Sequence, residues 1–451
     1  MCSLAVGSAF LLAACGGGGG GGGGDSPPPQ PSNVLVVVMD DVGIDMLGSY
    51  GVHPSFPPTP NIDALIAEGV LFEHCYTPPS CSPTRAAVLT GRASFRTGIG
   101  QPIADWNTEP ALALEEWTIP EVLAAQSAQP VATSAIGKWH LGSEAVGGVD
   151  HPNLQGFDWF DGPLGNLFTG QTYFNYGKIR NGVRYVSTTY ATTDQVNDAL
   201  GRIETMPEPW FLWLGFSAAH TPLHAPPQEL HTYALSGDPQ DTPYEHYCAM
   251  VQALDTELGR LLSGIPADVR ARTTVVLLGD NGSPQQVVIP PSVPAQSKGS
   301  LFEGGVRVPL VISGNHVAAR GVRATALVQT VDLFPTILGF FGVEAASGVG
   351  DGPVIDGIDL APYLADPQVA PLRDHVVVDK FEPNGFGPYT ETGAMVRDAR
   401  WKLIRRSGQP DALFDLQGLD REGVDLNDGS LEPEEASAFS QLDSWLEAAL
   451  P

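Results

Sequence analysis

Short, largely apolar runs alternate with longer amphipathic stretches along most of this chain. The runs are rich in valine, leucine and isoleucine and occupy positions 34–39, 70–76, 131–136, 210–216, 274–278 and 306–312. The first is continuously apolar, which is typical of a strand covered on both faces of a parallel sheet. The pattern predicts an α/β fold with a large, mostly parallel sheet sandwiched between helices.

Several intervening stretches predict helices. One opens at Thr59 and is closed by Gly69, and another covers 331–341. Within 244–265 the apolar residues recur at alternating spacings of four and three, which places them on one helix face: Tyr247, Val251, Leu254, Leu258 and Leu261. We expect this third helix to serve packing.

The pattern changes beyond about residue 370, where the alternating segments become shorter. Segments 394–406 and 412–416, joined through a turn containing glycine and proline, predict an antiparallel hairpin, and 432–450 predicts a closing helix. We therefore expect two domains: a large α/β catalytic domain over 33–370 and a small C-terminal α+β domain over 371–451, built on an antiparallel sheet.

Length and composition limit the classes of protein to consider. With 451 residues, of which 43% are hydrophobic, the chain is long enough for a substantial core, so disorder throughout is excluded. The charge balance, 23 − 51 = −28, argues against a nucleic-acid partner and against broad capture of polyanions. An anionic substrate would therefore need a local pocket. Only five lysines occur, and Lys138 and Lys298 both lie within motifs.

The amino-terminal segment has the features of an export signal. Residues 4–14 are apolar but too short to span a bilayer, and Leu-Ala-Ala-Cys ending at Cys15 looks like a lipobox. We expect 1–15 to be a lipoprotein signal ending at a lipidated Cys15, and 16–32 to be a Gly/Pro-rich tether. No lysine or arginine precedes Arg85, so a plain cleaved signal or a cloning remnant stays an alternative. The interpretation predicts an exported bacterial lipoprotein, periplasmic or anchored to the outer membrane, that touches the membrane only through Cys15.

The cysteines do not form a convincing disulfide framework. Cys2 and Cys15 belong to the leader and Cys81 to a motif, so Cys75 and Cys248 are the only pair left to bridge. Export would permit that bridge. Two buried free thiols are the commoner outcome, and we expect them here.

Four of the predicted strands end in residues that carry chemistry. Asp40 and Asp41 follow the first strand, Lys138 and His140 follow 131–136, His220 follows 210–216, and Asp280 and Asn281 follow 274–278. Open α/β sheets bind ligands in the crevice outside the carboxyl ends of their strands, so we expect these segments to converge there.

The oxygen donors in this set suit a hard cation. Carboxylate and amide oxygens, as in Asp40, Asp41, Asp280 and Asn281, bind Ca²⁺ in six- to eight-fold coordination or Mg²⁺ in a stricter octahedron. The sequence therefore predicts a divalent-cation site, with Ca²⁺ favoured and Mg²⁺ as the alternative. Ordinary turn residues beside glycine are the competing interpretation.

The segment 81–92, Cys-Ser-Pro-Thr-Arg-Ala-Ala-Val-Leu-Thr-Gly-Arg, places a cysteine at the start of a predicted helix. Ser82 is suited to cap that helix and Gly91 to end it. Unpaired backbone N–H groups, the helix dipole and Arg85 would draw an anion towards Cys81. A thiol is a poor ligand for a hard cation, which indicates that Cys81 becomes an oxygen species. The alternative is a buried packing cysteine.

The pattern Cys-x-Pro-x-Arg followed by Leu-Thr-Gly-Arg resembles the type I sulfatases of the alkaline phosphatase superfamily. Thr84 is a mild departure, since serine is commoner there. In that family a formylglycine-generating maturation enzyme oxidises the cysteine, and the hydrated aldehyde attacks sulfur. The resemblance implies the same for Cys81, which would then join the predicted metal ligands.

The sequence Gly-Lys-Trp-His-Leu-Gly around Lys138 and His140 matches a second sulfatase motif. By that resemblance these two residues contact the sulfate and the formylglycine. The resemblance also assigns the leaving group to His220, the bridge between sulfate and leaving oxygen to Lys298, and support of the formylglycine and metal-facing carboxylates to Arg85.

The implied function is hydrolysis of aryl or carbohydrate sulfate monoesters. In the implied mechanism Asp280 helps to activate the attacking hydroxyl, and His140 deprotonates the second hydroxyl so that sulfate is eliminated. The alternatives are a formylglycine-dependent phosphonate or phosphodiester hydrolase and an inactive glycan-binding lipoprotein. Substrate selectivity is expected in loops such as 164–184, whose aromatic residues either stack on the substrate or belong to the core: Phe168, Tyr173, Phe174 and Tyr176.

Overall fold

The fold is described from a computed structural model. The described residues are 32–104, 109–167, 170–345, 354–427 and 429–450. The predicted leader over 1–15, with Cys15, lies outside them, as does the tether up to residue 31. The chain from Pro31 to Pro451 forms one compact unit.

A ten-stranded sheet organises most of this unit. Its strands, in chain order, are β1 Asn33–Met39, β2 Gly69–Tyr76, β3 Ala132–Gly137, β4 Trp159–Gly162, β5 Tyr176–Arg180, β6 Val183–Ser187, β7 Trp210–Gly215, β8 Thr273–Gly279, β9 Arg307–Gly314 and β10 Val322–Gln329. All six predicted strands are present, with ends that differ by no more than two residues.

The spatial order of the strands is β10-β2-β9-β8-β1-β7-β3-β4-β5-β6. The five strands β8, β1, β7, β3 and β4 run parallel to one another and form the middle of the sheet. β9 is antiparallel to both of its neighbours, and β5 and β6 close the other edge as an antiparallel pair. The α/β prediction is confirmed, and the sheet is mixed outside its parallel centre.

Helices cover both faces of this sheet. Along the chain they are α1 Pro60–Ala67, α2 Cys81–Thr90, α3 Ser94–Thr97, α4 Ile119–Gln126, α5 His151–Leu154, α6 Ala191–Thr205, α7 Pro243–Gly264, α8 Ala267–Ala271, α9 Glu303–Val306, α10 Leu333–Phe340, α11 Ala361–Ala365 and α12 Pro433–Ala449. Short 3-10 turns occupy Ile44–Met46, Gly48–Tyr50, Gly148–Asp150, Gln228–Leu230, Gln285–Val287, Pro294–Gln296 and Thr330–Asp332.

Strand β1 shows why its run is continuously apolar. Val36 and Val38 belong to the hydrophobic core on one face of the sheet, whereas Leu35 and Val37 belong to the core on the other. Alternate side chains of a strand point to opposite faces, so a strand buried on both sides favours apolar residues at successive positions, as from Val34 to Met39. Helix α7 packs in the second core through the whole predicted apolar face.

A second, four-stranded antiparallel sheet follows, with strands β11 Val376–Glu382, β12 Glu391–Arg397, β13 Trp401–Arg406 and β14 Ala412–Asp415. The small antiparallel sheet and the predicted hairpin across 407–411 are thus confirmed, since β13 pairs antiparallel with β14, but 394–406 is divided between β12 and β13 and is not one continuous strand. The Asp398 carboxylate accepts hydrogen bonds from the N–H groups of Arg400 and Trp401, at 2.8 and 2.6 Å, and turns the chain between β12 and β13.

Two further observations concern the cysteines and the possibility of membrane-spanning helices. Cys75 and Cys248 are both buried free thiols, as expected. Among the helices of the described ranges, none is both long enough and apolar enough to cross a membrane.

Candidate active site

The predicted chemistry-bearing residues meet at one edge of the central sheet. β1, β3, β7 and β8 run parallel, so their carboxyl ends lie together and deliver Asp40 and Asp41, Lys138 and His140, His220, and Asp280 and Asn281 to the same place. Helix α2 brings Cys81 and Arg85 to this edge, and the segment before α9 brings Lys298. None of the predicted site residues lies elsewhere.

Three carboxyl groups form the centre of the site. Ligand oxygens of Asp40, Asp41 and Asp280 lie within 4.8 Å of one another, and all three side chains are buried. Burial raises the pKa of Asp40 to about 7, with the nearby charges of Asp280 and Asp41 in the same direction and that of Lys138 opposed. Such a concentration of buried negative charge is stabilised by a cation.

Asp41 is held in place from several directions. Its backbone φ is 63°, in the left-handed region that residues other than glycine seldom adopt. Its Oδ1 accepts hydrogen bonds from Lys298 Nζ at 2.5 Å and Asn281 Nδ2 at 2.8 Å, and its N–H donates to Asp280 Oδ1 at 3.0 Å. Although burial alone would raise the pKa of Asp41, Lys298 and then His220 outweigh it and lower that pKa.

The donor set fits a hard divalent cation. Asp40 Oδ1 and Asn281 Oδ1 are buried and have no hydrogen-bond partner, although buried polar atoms are nearly always satisfied. Both are oxygen atoms of the kind that Ca²⁺ and Mg²⁺ prefer, and they belong to residues that converge on the carboxylate cluster.

Cys81 is the first residue of helix α2 and is fully buried. Its Sγ lies 3.1 Å from His140 Nδ1. Burial raises the pKa of the Cys81 thiol, although Lys138 and Lys298 oppose this effect. The unmodified thiol is therefore neutral near pH 7, which makes it a poor nucleophile and a poor ligand for a hard cation.

The predicted cap of helix α2 is wrong by two residues. Ser80 occupies the N-cap position, and Ser82 lies inside the first turn, where its Oγ accepts a hydrogen bond from the Ile103 N–H at 3.1 Å. Thr84 Oγ1 donates to the Ser80 carbonyl at 3.0 Å, which ties the start of the helix to its first turn. The predicted end is confirmed, since Gly91 adopts a left-handed conformation with φ of 68°.

Three basic side chains balance the three carboxylates. Arg85 donates from Nη2 to Asp280 Oδ2 at 2.9 Å and from Nη1 to the Lys138 carbonyl at 2.6 Å. Lys138 Nζ donates to Asp40 Oδ2 at 2.5 Å, and Lys298 completes the set through Asp41. A bound divalent cation would therefore leave this centre with a net positive charge, which suits an anionic substrate.

Two histidines flank the cluster in different ways. His140 Nε2 lies 3.2 Å from the Ile103 carbonyl, so Nε2 carries the proton and Nδ1 faces Cys81 as an acceptor. His220 Nδ1 donates to the Thr221 carbonyl at 2.9 Å, and its Nε2 faces Asp41 Oδ2 at 3.8 Å. Burial lowers both pKa values, that of His220 to about 4 despite the Asp41 charge.

Two tyrosines that are not among the predicted site residues support the site through their hydroxyl groups. Tyr247 lies on the apolar face of α7, yet its hydroxyl donates to the Asp41 carbonyl. Tyr173 donates to the carbonyls of Ser217 and His220, the latter at 2.7 Å. A tyrosine at an apolar helix position is the one available signal, because a buried hydroxyl needs a partner.

The aromatic residues proposed for substrate stacking divide between core and surface. Tyr173 and Tyr176 are buried in the core, and Phe174 is 41% exposed. Phe168 lies outside the described residues. His224 stacks on Tyr173 with ring centroids 4.1 Å apart, which makes it part of the support for the His220 segment.

Comparison with known proteins identifies relatives. The sulfatase family model matches residues 32–343. N-acetylgalactosamine-6-sulfatase of Sus scrofa is 31% identical over 373 residues, which are 73% of this chain and 65% of that protein. Arylsulfatase J of Mus musculus is 26% identical over 407 residues, 84% of this chain and 64% of that protein. The chain thus spans slightly less than two thirds of the length of these relatives.

A solved structure agrees at the level of the fold. The crystal structure of Ps i-CgsB in complex with k-i-k-neocarrahexaose has a TM-score of 0.76 to this chain at 24% identity, covering 92% of this chain and 93% of that one. The family match spans more than half of the sequence and includes every residue of the site described above. This chain therefore belongs to the sulfatase family.

Proposed function

We propose that the chain hydrolyses sulfate monoesters of carbohydrates or phenols to an alcohol and inorganic sulfate. One observation carries the proposal: Cys81, at a helix start, shares a buried centre with three carboxylates, three basic side chains and two histidines. The relatives support it, since one is named an N-acetylgalactosamine-6-sulfatase and another an arylsulfatase.

The proposed activity needs two groups that the amino-acid chain alone does not supply, a formylglycine at position 81 and a divalent cation. A maturation enzyme converts Cys81 to formylglycine, whose hydrated form supplies the nucleophilic hydroxyl. Asp40, Asp41, Asp280 and Asn281 hold a divalent cation, Ca²⁺ or Mg²⁺, which would neutralise charge on the sulfuryl group being transferred. The buried oxygens of Asp40 and Asn281 that lack a hydrogen-bond partner support the cation, and the Cys-x-Pro-x-Arg motif that begins at Cys81 supports the modification.

The basic side chains bind and orient the sulfate group. Arg85 and Lys138 are each fixed by a hydrogen bond to a carboxylate of the cluster, so their charges stay in place without reorganisation during the reaction. The first backbone N–H groups of helix α2 add positive potential at position 81.

The remaining three residues act on the leaving oxygen and on protons. Lys298 Nζ donates a hydrogen bond to Asp41, which raises the pKa of this lysine although burial opposes it, so Lys298 stays protonated and places a positive charge beside the leaving oxygen. His220 shares Asp41 and lies beside the same position. His140, with its unprotonated Nδ1 towards position 81, is placed to accept a proton from a hydroxyl there.

The amino-terminal segment bears on where the protein is located in the cell and on where its domains begin. We propose that 1–15 act as a lipoprotein signal, that Cys15 anchors the exported protein in the periplasm or outer membrane, and that 16–32 form the tether. The catalytic domain would span 33–370 and the C-terminal domain 371–451. The apolar segment before Cys15 and the glycine run after it support this division.

The test combines mass analysis of position 81 with rates on two model substrates. The chain is produced together with a formylglycine-generating enzyme, and initial rates are measured on 4-nitrophenyl sulfate and on bis(4-nitrophenyl) phosphate. We expect formylglycine at position 81, kcat/KM at least about tenfold higher on the sulfate, and a loss of about a thousandfold or more in Cys81→Ala. Cys248→Ala, which also removes a buried thiol, should stay within about threefold of wild type.

Two outcomes would favour the alternatives. A clear preference for the phosphate diester would indicate a phosphodiester or phosphonate hydrolase. An unmodified Cys81 with no turnover of either substrate would indicate a glycan-binding protein without activity.

A further inference from the structure

A cavity of about 400 Å³ opens beside Asp41, His220 and Lys298. The C-terminal sheet forms one of its walls through the β11–β12 hairpin, which contributes Lys380, Phe381, Glu382 and Glu391. Residues with side-chain amides and hydroxyls, from loops and turns next to the large sheet, also line the cavity: Ser80, Gln101, Thr221, Gln285 and Gln286. The leaving part of a substrate whose sulfate lies in the catalytic centre must occupy this cavity.

The hairpin is fixed against the catalytic lysine. Lys380 Nζ donates a hydrogen bond to the Gly299 carbonyl at 3.0 Å, and Gly299 follows Lys298 directly. At the far end, Asn384 Oδ1 accepts from the N–H groups of Gly100 and Gln101, at 2.9 and 3.0 Å. The wall is therefore positioned relative to the reacting centre at both ends.

Two carboxylates of this wall oppose each other. Glu382 pairs with Glu391 in the β11–β12 ladder, so their side chains leave the same face of the sheet about 5 Å apart. Lys380, two residues before Glu382, shares that face. Neither glutamate has an ion-pair partner among the residues that the structure describes, and like charges placed directly opposite destabilise a sheet.

Phe381, the one Phe, Tyr or Trp among the residues that line the cavity, offers little flat surface to a substrate, whereas Phe386 and Tyr389, in the turn of the same hairpin, are 73% and 38% exposed but do not line the cavity. Phe381 is only 5% exposed, and its ring lies against Gly100, where a Cβ atom would come within 2.5 Å of the ring. The polar groups that line the cavity are hydrogen-bonding partners for hydroxyl groups, and a carboxylate is a strong acceptor for them. This chemistry matches a sugar better than an aryl ring.

We propose that Glu382 and Glu391 select a carbohydrate that carries a single sulfate group. The two carboxylates accept hydrogen bonds from hydroxyls of the sugar and repel a second sulfate on a neighbouring position, which is discrimination by an unfavourable contact. The net charge of −28 also disfavours binding of a substrate with a second sulfate group. This inference rests on the proposed sulfatase function and deepens it.

The experiment compares N-acetylgalactosamine 6-sulfate with its 4,6-disulfate. In wild type we expect kcat/KM for the monosulfate to exceed that for the disulfate, mainly through KM. The Glu382→Gln/Glu391→Gln variant keeps the size of the two side chains and an oxygen that accepts hydrogen bonds, but it removes their charges. The ratio of kcat/KM for the monosulfate to kcat/KM for the disulfate should therefore fall by about fivefold, because two charges near the second sulfate are gone. The effect should shrink at high salt. Glu204→Gln/Glu68→Gln changes the same net charge at exposed positions outside this cavity and should leave the ratio unchanged.

A binding measurement separates this inference from the proposed function. Titration calorimetry with Cys81→Ala measures the affinity for both sugars without turnover. If no sulfate ester is hydrolysed but the monosulfate binds more tightly and the preference falls in the double variant, the proposed activity fails and the charge selection stands. Equal affinities, a preference for the disulfate, or a ratio unaffected by the double variant would overturn the inference.

Discussion

At the scale of single residues, Asp41 depends on bonds that its own side chain does not make. Its left-handed backbone carries the carboxylate towards Lys298 and Asn281, while its carbonyl accepts a hydrogen bond from Tyr247 on helix α7. The candidate site is therefore supported by a residue that does not line the cavity beside Asp41 and that bonds to the backbone of Asp41. A buried carbonyl that loses its donor costs about 1–3 kcal/mol.

Replacing Tyr247 should consequently affect both stability and catalysis. We expect Tyr247→Phe to lose about 1–2 kcal/mol in urea unfolding and about tenfold in kcat, because Asp41 is no longer held by its carbonyl. Tyr244→Phe is the matched control on the same helix, since its hydroxyl bonds to Ser55 in an exposed position. Equal kcat values for the two folded variants would show that the Tyr247 bond does not position Asp41.

At the scale of elements, the position of Cys81 at the start of helix α2 depends on how the opposite end of the helix, at Gly91, is fixed. Gly91 stops the helix in a left-handed conformation, and its N–H donates to the Ala87 carbonyl at 2.9 Å. A Cβ atom at Gly91 would lie 2.9 Å from atoms of Phe334 on α10. This end of α2 is therefore limited both by backbone conformation and by packing.

The contributions of backbone conformation and of packing at Gly91 can be separated by comparing the same substitution at Gly91 and at Gly51. Gly51 has nearly the same φ, 71°, but no atom within 4 Å of a Cβ. Gly51→Ala should lose about 1–2 kcal/mol from the left-handed conformation alone, whereas Gly91→Ala should lose about 2–4 kcal/mol in urea unfolding. Losses of the same size would mean that Phe334 moves aside at no cost.

At the scale of the whole molecule, a buried ionic cluster joins the second sheet to the segment that follows Lys298. Lys402 on β13 donates to Glu303 at 2.9 Å and to Glu422 at 2.6 Å, and Glu422 in turn accepts from the Glu303 N–H. Glu303 begins α9, five residues after Lys298. The cluster thereby connects the two sheets close to the site.

Breaking this cluster should destabilise the fold in a pH-dependent way. Burial opposes ionisation of Glu303, but Lys402 and Arg397 lower its pKa from 4.5 to about 2. The stabilising contribution of Glu303 is therefore complete above about pH 4.5 and is lost as the pH falls towards 2, whereas burial raises the pKa of Glu422 despite Lys402, so that ionisation of Glu422 opposes folding. Lys402→Met should lose about 3–5 kcal/mol at pH 7, with the difference from wild type narrowing below pH 4.5.

Arg323→Met provides the comparison for Lys402→Met, because the side chains of the Arg323–Glu73 pair are 47% and 25% exposed, whereas those of Lys402 and Glu303 are buried. That variant should lose less than about 1 kcal/mol in urea unfolding at every pH. A loss for Lys402→Met that is equally small, or that does not change between pH 7 and pH 3, would contradict a stabilising role for the cluster.

Much of the fold and of the site follows from local features of the sequence. The apolar runs predicted six of the ten strands of the large sheet, because a strand buried on both faces favours apolar side chains at successive positions. Polar residues at the ends of parallel strands predicted the meeting of Asp40, Lys138, His220 and Asp280. The turn at Asp398 was not predicted, because the flanking strands continue the same alternation and the hydrogen bonds that turn the chain involve a single side chain.

The tertiary structure alone decided which residues that are distant in sequence contact one another. Asp41 and Lys298 are 257 positions apart, and Tyr247 reaches Asp41 from a helix whose pattern indicates only packing. The wall with Glu382 and Glu391 exists because the second sheet lies beside the first. Amphipathic periodicity specifies which face of an element is buried, but the sequence by itself does not determine what that face meets, since this depends on how all the elements pack together.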